Sequence, residues 1–393
     1  MSSLSQRMGA TLEELQNGGT YKRLRYLTEP MAPATTIEGI GEVLVFCSNN
    51  YLGLANHPEV IQAGIDGLRR YGAGTASVRF ICGTFECHRV LEERIASFLG
   101  TEAALTYVSC WNANEGLLSN LVEQGDAILS DELNHASIID ASRLARHATR
   151  KVFAHSEMTA LDAVLSETSA SSVKVVVTDG VFSMEGDVAK IPELVQLCRK
   201  HGATLVVDDS HGTGVLGSGG RGVHEHFDLP GRAPAGVDIF TGTLGKALGG
   251  AAGGYVAGPQ DVIDYLVQRS RPQLFSNALP PTVACSAAKA IEILEREPER
   301  VARLHANVER MRSGLQTLNF EVLDSPTAIL PIIIGDTAEA IALSNRLLES
   351  GVFVIGFGFP VVPEGTARLR IQMSAEHTDK HIDQALDAFA KLT

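Results

Sequence analysis

The sequence lacks several features, and each absence excludes a class of protein. No uninterrupted apolar run approaches the length that spans a bilayer, so a membrane-spanning protein is not expected. The N-terminal stretch "MSSLSQRMGATLEELQNGG" has no apolar core of signal-peptide length. We therefore expect a cytoplasmic protein.

Basic residues are in the minority. Lysine and arginine together number 33 against 46 aspartates and glutamates, which gives a formal net charge of −13. Such an excess of negative charge repels nucleic acids and anionic membranes at long range. We expect neither as a partner, and an anionic small molecule would need local hydrogen-bond donors.

Cysteine is scarce and shows no paired framework. The six cysteines occur without a C-x-x-C motif, at Cys47, Cys82, Cys87, Cys110, Cys198 and Cys285. This spacing favours reduced packing residues over disulfides or zinc ligands. We expect no metal site.

From about residue 101 the chain alternates β-rich runs with helical patterns. The runs are "ALTYV", "DAILS", "VKVVVTD", "ATLVVDD", "VDIFTGT" and "GGYVAG", and most are nearly continuous in apolar residues, as strands covered on both faces are. The alternation predicts parallel strands joined by crossover helices. Past residue 290, the charged helical stretch "RVARLHANVERMRSGLQTL" and the runs "AILPIII" and "RLRIQM" predict a smaller α+β domain.

The stretch "DIFTGTLGKALGGAAGGYVAG", residues 238–258, sets Lys246 among small residues. It is not a Walker phosphate loop, because Phe240 stands where that motif needs glycine and Ala247 where it needs a hydroxyl. Lys246 is either a solvated surface lysine or a nucleophilic amine whose pKa falls in a weakly solvating site. In the second case the small neighbours leave room for a planar ring.

Two overlapping glycine patterns, "GTGVLG" and "GSGGRG", match the form G-x-G-x-x-G, and the first follows a predicted strand. A nicotinamide dehydrogenase would also need a helix that opens at the last glycine and an acidic residue about twenty positions later. The following "SGGRGVHEHFDLPG" is not helical in pattern, which weighs against that alternative.

Ligands of open α/β sheets bind at the carboxyl ends of the strands, so the polar residues after each run are the candidate site residues. Ser109 to Asn114 follow the first run and open a predicted helix whose amides could hold a phosphate. The later runs are followed by His135, Ser183, Asp208, His211, Thr241, Thr243 and Lys246.

Asp208, His211 and Lys246 together match the needs of a pyridine aldehyde. A carboxylate keeps the ring nitrogen protonated, a histidine bonds the phenolic oxygen, and a lysine forms the Schiff base. Each residue has a plainer alternative, since Asp208 and His211 could form a structural ion pair and His135 could cap a helix.

The chain resembles the α-oxoamine synthase family of pyridoxal-phosphate enzymes over nearly its whole length. The motifs that carry the resemblance are "FCSNNYLGLANHPEV", "SDELNHASIIDASRL", "TDGVFSMEGD", "VVDDSHGTGVLG", "GTLGKALGGAAGGY" and "GTARLRIQMSAEHT". The resemblance implies an aspartate-aminotransferase-like (fold type I) α/β fold with a large, mostly parallel domain. It also implies an N-terminal arm and small-domain segment at 1–54, a cofactor-binding domain at 55–290 and a C-terminal α+β domain at 291–393.

The resemblance assigns roles to individual residues around pyridoxal 5'-phosphate (PLP). Lys246 would be the Schiff-base lysine, Asp208 would pair with the pyridine nitrogen and His211 with the phenolic oxygen. His135 would stack on the ring. The remaining cofactor contacts would come from Ser183, from Thr243 and from the amides of Cys110 and Trp111.

The resemblance also implies how substrate and a second subunit contribute. Asn49, Ser183 and Arg370 would bind the amino acid, with Arg370 gripping its carboxylate by a planar fork. Ser276, with Asn277 beside it, would complete the phosphate site of the partner subunit in a homodimer.

The motifs "SVRFICGT", "SRPQLFSN" and "GFGFPVVPEG" are most similar to the acetyltransferase branch of the family. That branch condenses glycine with acetyl-CoA, in threonine degradation, by a reaction in which Lys246 moves the α proton. The alternatives are a synthase that joins alanine to pimeloyl-CoA, an enzyme accepting several acyl groups, and a non-catalytic relative that binds the cofactor only.

Overall fold

The structure, a computed structural model, describes residues 2–359 and 361–392. The chain folds into two compact units. The larger unit comprises Asn49–Ser183 and Asp187–Arg303, and the smaller unit comprises Met184–Gly186 with the described residues before Asn49 and after Arg303.

These units differ from the predicted boundaries, whose outermost residues, Met1 and Thr393, lie outside the described part of the chain. The predicted boundary after residue 290 falls inside one helix, Pro281–Arg296, which buries Ala287 and Ile291 on one face. The predicted boundary after residue 54 is also displaced, because Tyr51 and Leu52 are fully buried and belong to the larger unit.

The described residues include thirteen strands and fourteen α-helices. The strands are β1 (Ala34–Ile37), β2 (Gly41–Val45), β3 (Ala103–Tyr107), β4 (Ala127–Asp131), β5 (Thr149–Phe153), β6 (Lys174–Asp179), β7 (Thr204–Asp208), β8 (Ile239–Thr243), β9 (Gly254–Gly258), β10 (Ile329–Gly335), β11 (Val352–Phe353), β12 (Ile355–Phe357) and β13 (Ala367–Gln372). The helices are α1 (Ser3–Asn17), α2 (Pro58–Tyr71), α3 (Glu86–Leu99), α4 (Cys110–Leu121), α5 (Ala136–Leu144), α6 (Met158–Glu167), α7 (Ile191–His201), α8 (Val223–His226), α9 (Gln260–Arg269), α10 (Arg271–Phe275), α11 (Pro281–Arg296), α12 (Glu299–Thr317), α13 (Thr337–Glu349) and α14 (Asp379–Ala390).

The larger unit is built on a seven-stranded sheet in the order β3-β9-β8-β7-β6-β4-β5. Each of the six predicted β-rich runs overlaps one of its strands. β9 pairs antiparallel with both β3 and β8, so the prediction of a parallel strand at "GGYVAG" is wrong. The connection from β8 to β9 spans only residues 244–253, whereas a parallel crossover needs about a dozen residues or more.

The edge strand β5 was not predicted from the sequence. Its residues, "TRKVF", are mostly exposed and lack a continuous apolar run. β5 pairs with β4 on one side only, so it needs little apolar surface. The core of the unit instead packs α4, α5 and α9 against buried strand residues such as Leu105, Val177 and Val256.

The smaller unit has two three-stranded sheets, in the orders β1-β2-β11 and β10-β13-β12. The long charged helix, "AILPIII" and "RLRIQM" form α12, β10 and β13, as predicted. None of the described residues of α1 is buried. Across residues 2–359 and 361–392, no helix combines the length and apolar character needed to cross a membrane.

Candidate active site

A cavity of about 240 Å³ opens in the larger unit at the carboxyl ends of β6, β7 and β8. Eight predicted site residues line it: Cys110, Trp111, His135, Ser183, Asp208, His211, Thr243 and Lys246. Ser109, Ser137, Asp179 and Ser210 complete the lining. Residues from five separate parts of the sequence meet there because parallel strands end at one edge of the sheet.

Lys246 lies on the segment between β8 and β9. The Thr243 hydroxyl donates to the Gly253 carbonyl over 3.2 Å and accepts the Gly245 N–H over 3.1 Å, which closes the base of this segment. The sequence neighbours of Lys246 offer it no polar partner, but the fold does. Its Nζ lies 2.9 Å from Nε2 of His211.

His211 in turn contacts Tyr51, which is fully buried. The Tyr51 hydroxyl lies 2.8 Å from Nδ1 of His211 and donates to Oδ1 of Asn49 over 3.4 Å. When Tyr51 gives its proton to Asn49, it accepts a hydrogen bond from Nδ1–H of His211. The lone pair of Nε2 then faces Lys246, which is the arrangement needed to accept a proton from that amine.

Asp208 ends β7 and is 4% exposed. Its Oδ2 accepts from Nδ2 of Asn114 over 2.7 Å, and its Oδ1 accepts the Ser210 N–H over 3.0 Å. The Cys110 thiol lies 3.5 Å from the same Oδ2. Burial, together with the charge of Asp208, raises the pKa of Cys110 well above its usual value, so the neutral thiol is the stable form.

His135 is both a helix cap and a wall of the cavity, so the plainer alternative for it is correct in part. Its Nδ1 accepts the Ser137 N–H over 3.2 Å at the start of α5 and lies 2.8 Å from the Ser137 hydroxyl. Trp111 meets the His135 ring edge-on at 6.1 Å. Burial lowers the pKa of His135, so the cavity wall is a neutral imidazole.

α4 begins at the cavity, which its first two residues, Cys110 and Trp111, line. Ser109 caps this helix by accepting the Asn112 N–H, while the amides of Cys110 and Trp111 belong to the first turn, where backbone N–H groups have no intrahelical partner. β9 passes very close, because a Cβ added to Gly254 would lie 2.3 Å from the Cys110 nitrogen. The backbone of β9 thus lies directly against this helix start.

Four residues to which the resemblance assigned roles do not line the cavity. Asn49 accepts a hydrogen bond from Tyr51, which contacts His211. Ser276 and Asn277 line a separate, smaller cavity with Arg79. Arg370 lies on β13 of the smaller unit, where its guanidinium stacks 4.7 Å above the Phe357 ring and contacts Gln372.

Sequence reasoning missed Tyr51 as a site residue, and it named Asn114 among the residues after the first run without giving it a role. Tyr51 stands inside the quoted stretch "FCSNNYLGLANHPEV", but nothing in its spacing connects it to His211. Asn114 follows Cys110 by four residues on a predicted helix, and that spacing places both on one helix face. This spacing was the available signal for Asn114.

Comparison with known proteins shows to which family the chain belongs. The family model for aminotransferase class I and II matches residues 41–389. The chain belongs to this aminotransferase family. Among relatives of this family member, the 2-amino-3-ketobutyrate coenzyme A ligase of Salmonella typhimurium is 45% identical over 383 residues, covering 97% of this chain and 95% of the relative.

A second curated relative and a solved structure are also similar to the chain. The 8-amino-7-oxononanoate synthase of Symbiobacterium thermophilum is 47% identical over 382 residues, covering 97% of this chain and 96% of that protein. A solved serine palmitoyltransferase with PLP has a TM-score of 0.93 and 31% identity, covering 100% of this chain and 98% of that one. These likenesses confirm the predicted α-oxoamine synthase resemblance, the fold type I architecture and PLP as the cofactor.

The cavity of this aminotransferase-family chain fits PLP by its chemistry. It presents a buried carboxylate, Asp208, for a protonated ring nitrogen and a flat imidazole, His135, for a ring face. The helix amides and the Thr243 hydroxyl are donors suited to a phosphate. Lys246 supplies the amine to which an aldehyde attaches covalently.

Proposed function

We propose that the chain condenses glycine with acetyl-CoA, giving 2-amino-3-oxobutanoate and free CoA. The single observation that carries the catalytic part is the pairing of Lys246 Nζ with His211 Nε2 over 2.9 Å in a cavity that also holds Asp208. The substrate pair is supported by relatives named 2-amino-3-ketobutyrate coenzyme A ligase, at 44–45% identity from bacteria to mammals.

PLP, when bound, withdraws the electron pair left on the amino acid's α-carbon after its proton leaves. The residues of the chain perform the other tasks. The Lys246 amine takes the α proton, and Asp208 holds the ring nitrogen protonated. His211 and Tyr51 orient the lysine. His135 covers the ring, while Thr243 and the amides of Cys110 and Trp111 hold the phosphate.

Three further residues complete the proposed substrate site. Asn49, Ser183 and Arg370 bind the amino acid, and the planar guanidinium of Arg370 suits a carboxylate. After the carboxylate and nitrogen are fixed, glycine offers only hydrogen to the remaining wall. Alanine adds one methyl group, and a group of that size changes transition-state binding by only about 1–3 kcal/mol. Slow reaction with alanine is therefore compatible with the proposal.

A second candidate is favoured by the 47% identity to an 8-amino-7-oxononanoate synthase. In that reaction the chain joins alanine to pimeloyl-CoA and releases CoA and carbon dioxide. The proposed roles of Lys246, Asp208 and His211 are unchanged. The two candidates differ in the wall that meets the amino-acid substituent and in the room for the acyl chain.

We further propose a two-fold homodimer in which Ser276 serves the partner's phosphate site. The placement of Ser276 outside the cavity of its own chain supports this assignment. Sedimentation should give a dimer, and an active monomer would contradict the proposal. A cytoplasmic location and a place in threonine degradation stay predictions.

A panel of acyl-CoA thioesters against glycine, alanine and serine, with products identified by mass, tests the proposed function. Glycine with acetyl-CoA should give the highest kcat/KM. If alanine with pimeloyl-CoA exceeds it by about tenfold, equivalent to about 1.4 kcal/mol, the second candidate replaces the first. A cofactor band that glycine does not perturb would indicate the non-catalytic alternative.

A further inference from the structure

We infer that Asn114, held by Thr241, is a positioning residue that keeps the Asp208 carboxylate aimed at the ring nitrogen of PLP. This inference rests on the cofactor placement of the proposed function and deepens it. Asn114 lies on α4 and Thr241 on β8, so the two belong to elements that the sequence does not connect directly.

Asn114 is 1% exposed, and both ends of its amide are engaged. Nδ2 donates to Oδ2 of Asp208 over 2.7 Å and to the Ser137 hydroxyl over 3.0 Å. Oδ1 accepts from the Thr241 hydroxyl over 2.7 Å. Thr241 itself is fully buried, so water does not compete for this hydrogen bond.

The direction of these hydrogen bonds follows from the carboxylate of Asp208, which can only accept. The amide therefore turns its N–H groups toward Asp208, and its oxygen accepts the proton of the Thr241 hydroxyl. If the amide were flipped, its carbonyl oxygen would face the carboxylate, and two acceptors would repel each other.

The backbone places the three residues in a closed arrangement. Asp208 and Thr241 are register partners on the parallel pair β7 and β8. Asn114, on α4, forms hydrogen bonds with both of these side chains. The carboxylate is thereby held at both oxygens, by Asn114 on Oδ2 and by the Ser210 N–H on Oδ1, and it cannot rotate without losing a bond.

Two donors stabilise the ionised form of a carboxylate over its neutral form. Titratable groups that interact with Asp208 electrostatically are Cys110 on α4, His135 before α5, Asp179 at the end of β6, Asp209 next in sequence and Tyr255 on β9, with Lys246 and His211 lining the same cavity. Burial, together with the charge of Asp208, raises the pKa of Asp179 well above its usual value and the pKa of Asp209 to about 8, so the neutral form of both neighbouring carboxyls dominates at neutral pH.

The second N–H of Asn114 extends the arrangement to the cavity wall. Ser137 accepts from Asn114, so its hydroxyl proton is directed to Nδ1 of His135. Nδ1 of His135 then acts as an acceptor, and its proton resides on Nε2. One buried amide thus orients both the carboxylate that would pair with the ring nitrogen and the imidazole that would cover the ring.

The test measures, without any acyl-CoA, the dissociation constant of PLP alone and the absorbance band of the bound cofactor at neutral pH. Asn114→Leu removes both donors at similar volume. Its PLP affinity should fall about tenfold, since hydrogen bonds to charged groups are among the stronger ones. The absorbance band of the bound cofactor should also shift, because a carboxylate that is not held in place no longer pairs with the ring nitrogen.

Thr241→Val keeps the shape of the side chain and removes the hydroxyl, so it should show the same shift of the absorbance band with a smaller loss of affinity. Thr241→Ser restores the hydroxyl and should recover most of the affinity. Asn120→Leu on the same helix and Thr168→Val at the end of α6 are the matched controls, because each removes a bond to a backbone carbonyl away from the cavity.

Wild-type affinity and a wild-type absorbance band in Thr241→Val would overturn the inference, even if Asn114→Leu does not fold. Equal losses in the two control variants would also overturn it, because the effect would then be general destabilisation. Failure of the proposed substrate pair leaves this measurement intact, since it uses PLP only. A wild-type chain that binds no PLP would instead refute the cofactor placement itself.

Discussion

Two clusters of aspartate and histidine lie at the carboxyl end of the same sheet, and they behave in opposite ways. The cavity cluster consists of Asp208, His135, His211 and Lys246. A second cluster, which we call the clamp, consists of Asp131, His155 and Asp187. In the clamp, Nδ1 of His155 lies 2.9 Å from Asp131 and Nε2 lies 3.0 Å from Asp187.

The difference between the clusters lies in what each histidine faces. Burial alone would lower the pKa of His155, but hydrogen bonds to two carboxylates raise it to about 10. His155 is therefore a cation whose two nitrogens are both occupied. His135 has a lowered pKa, and His211 directs Nε2 at a lysine. The residue type at a strand end therefore does not distinguish a structural histidine from a site histidine. Access to the cavity does.

Lys246→Ala should produce the largest effect in the cavity cluster. Without the amine, turnover with glycine and acetyl-CoA should fall below detection, and borohydride should no longer fix PLP to the protein. Peptide mapping of the trapped wild type locates the attachment site. Lys190→Ala, at an exposed lysine before α7, serves as the control. A label on any lysine other than Lys246 would refute the assignment.

Asp208→Asn should lower kcat about a hundredfold, or about 2.7 kcal/mol, because an amide cannot keep the ring nitrogen protonated. PLP should still bind, with weakened affinity. Initial rates and the absorbance of the bound cofactor are the measurements.

Asp209→Asn is a matched control for this variant. Asp209 is fully buried, and burial raises its pKa to about 8, so a neutral amide resembles its dominant form. Asp209 accepts hydrogen bonds from the Thr213 hydroxyl and the Val223 N–H, and it does not line the cavity. If both variants lose activity equally, the contrast between the two adjacent carboxylates is wrong.

The sequence predicted the cavity cluster well and the clamp not at all. Strand ends and the lysine segment are local patterns, so Lys246, Asp208, His211 and His135 were recognisable. His155 follows β5, whose charged residues gave no strand signal, and its partners lie 24 and 32 residues away in the sequence. Tyr51 and the role of Asn114 were missed for a similar reason, because hydrogen bonds between distant elements leave no periodic trace.

His155→Gln should change stability more than chemistry. Asp131 is 2% exposed, and removing the cationic partner of a buried carboxylate costs about 3 kcal/mol. Because the folded pKa of His155 lies above the unfolded value of about 6.5, its contribution is fully present below that pH. It is lost as the pH rises through about 10.

Urea unfolding of wild type and His155→Gln should therefore give curves that differ most near or below about pH 6.5 and converge toward about pH 10. The exposed His147→Gln is the control. A folded His155→Gln protein that cannot attach PLP covalently would place the clamp inside the site and break the comparison.

Trp111→Phe should have the smallest effect. The indole meets His135 edge-on and is 44% exposed, and the proposed phosphate contact uses the backbone amide. Aromatic pairs contribute about 0.5–1.5 kcal/mol, so PLP affinity should change by about tenfold at most. Trp111→Ala should lose more than Trp111→Phe, and equal losses would show that the ring contact contributes nothing.

The close approach of Gly254 to the start of α4 limits how this chain can diverge. In a library that replaces each glycine in turn, position 254 should tolerate no side chain, because a Cβ there would meet backbone atoms that cannot move aside. Gly74, which has open space around it and no left-handed backbone, should accept alanine freely. Sequencing the survivors of a selection for growth would then show the contact between β9 and the start of α4 as a gap in tolerated diversity, with no ligand or rate measured.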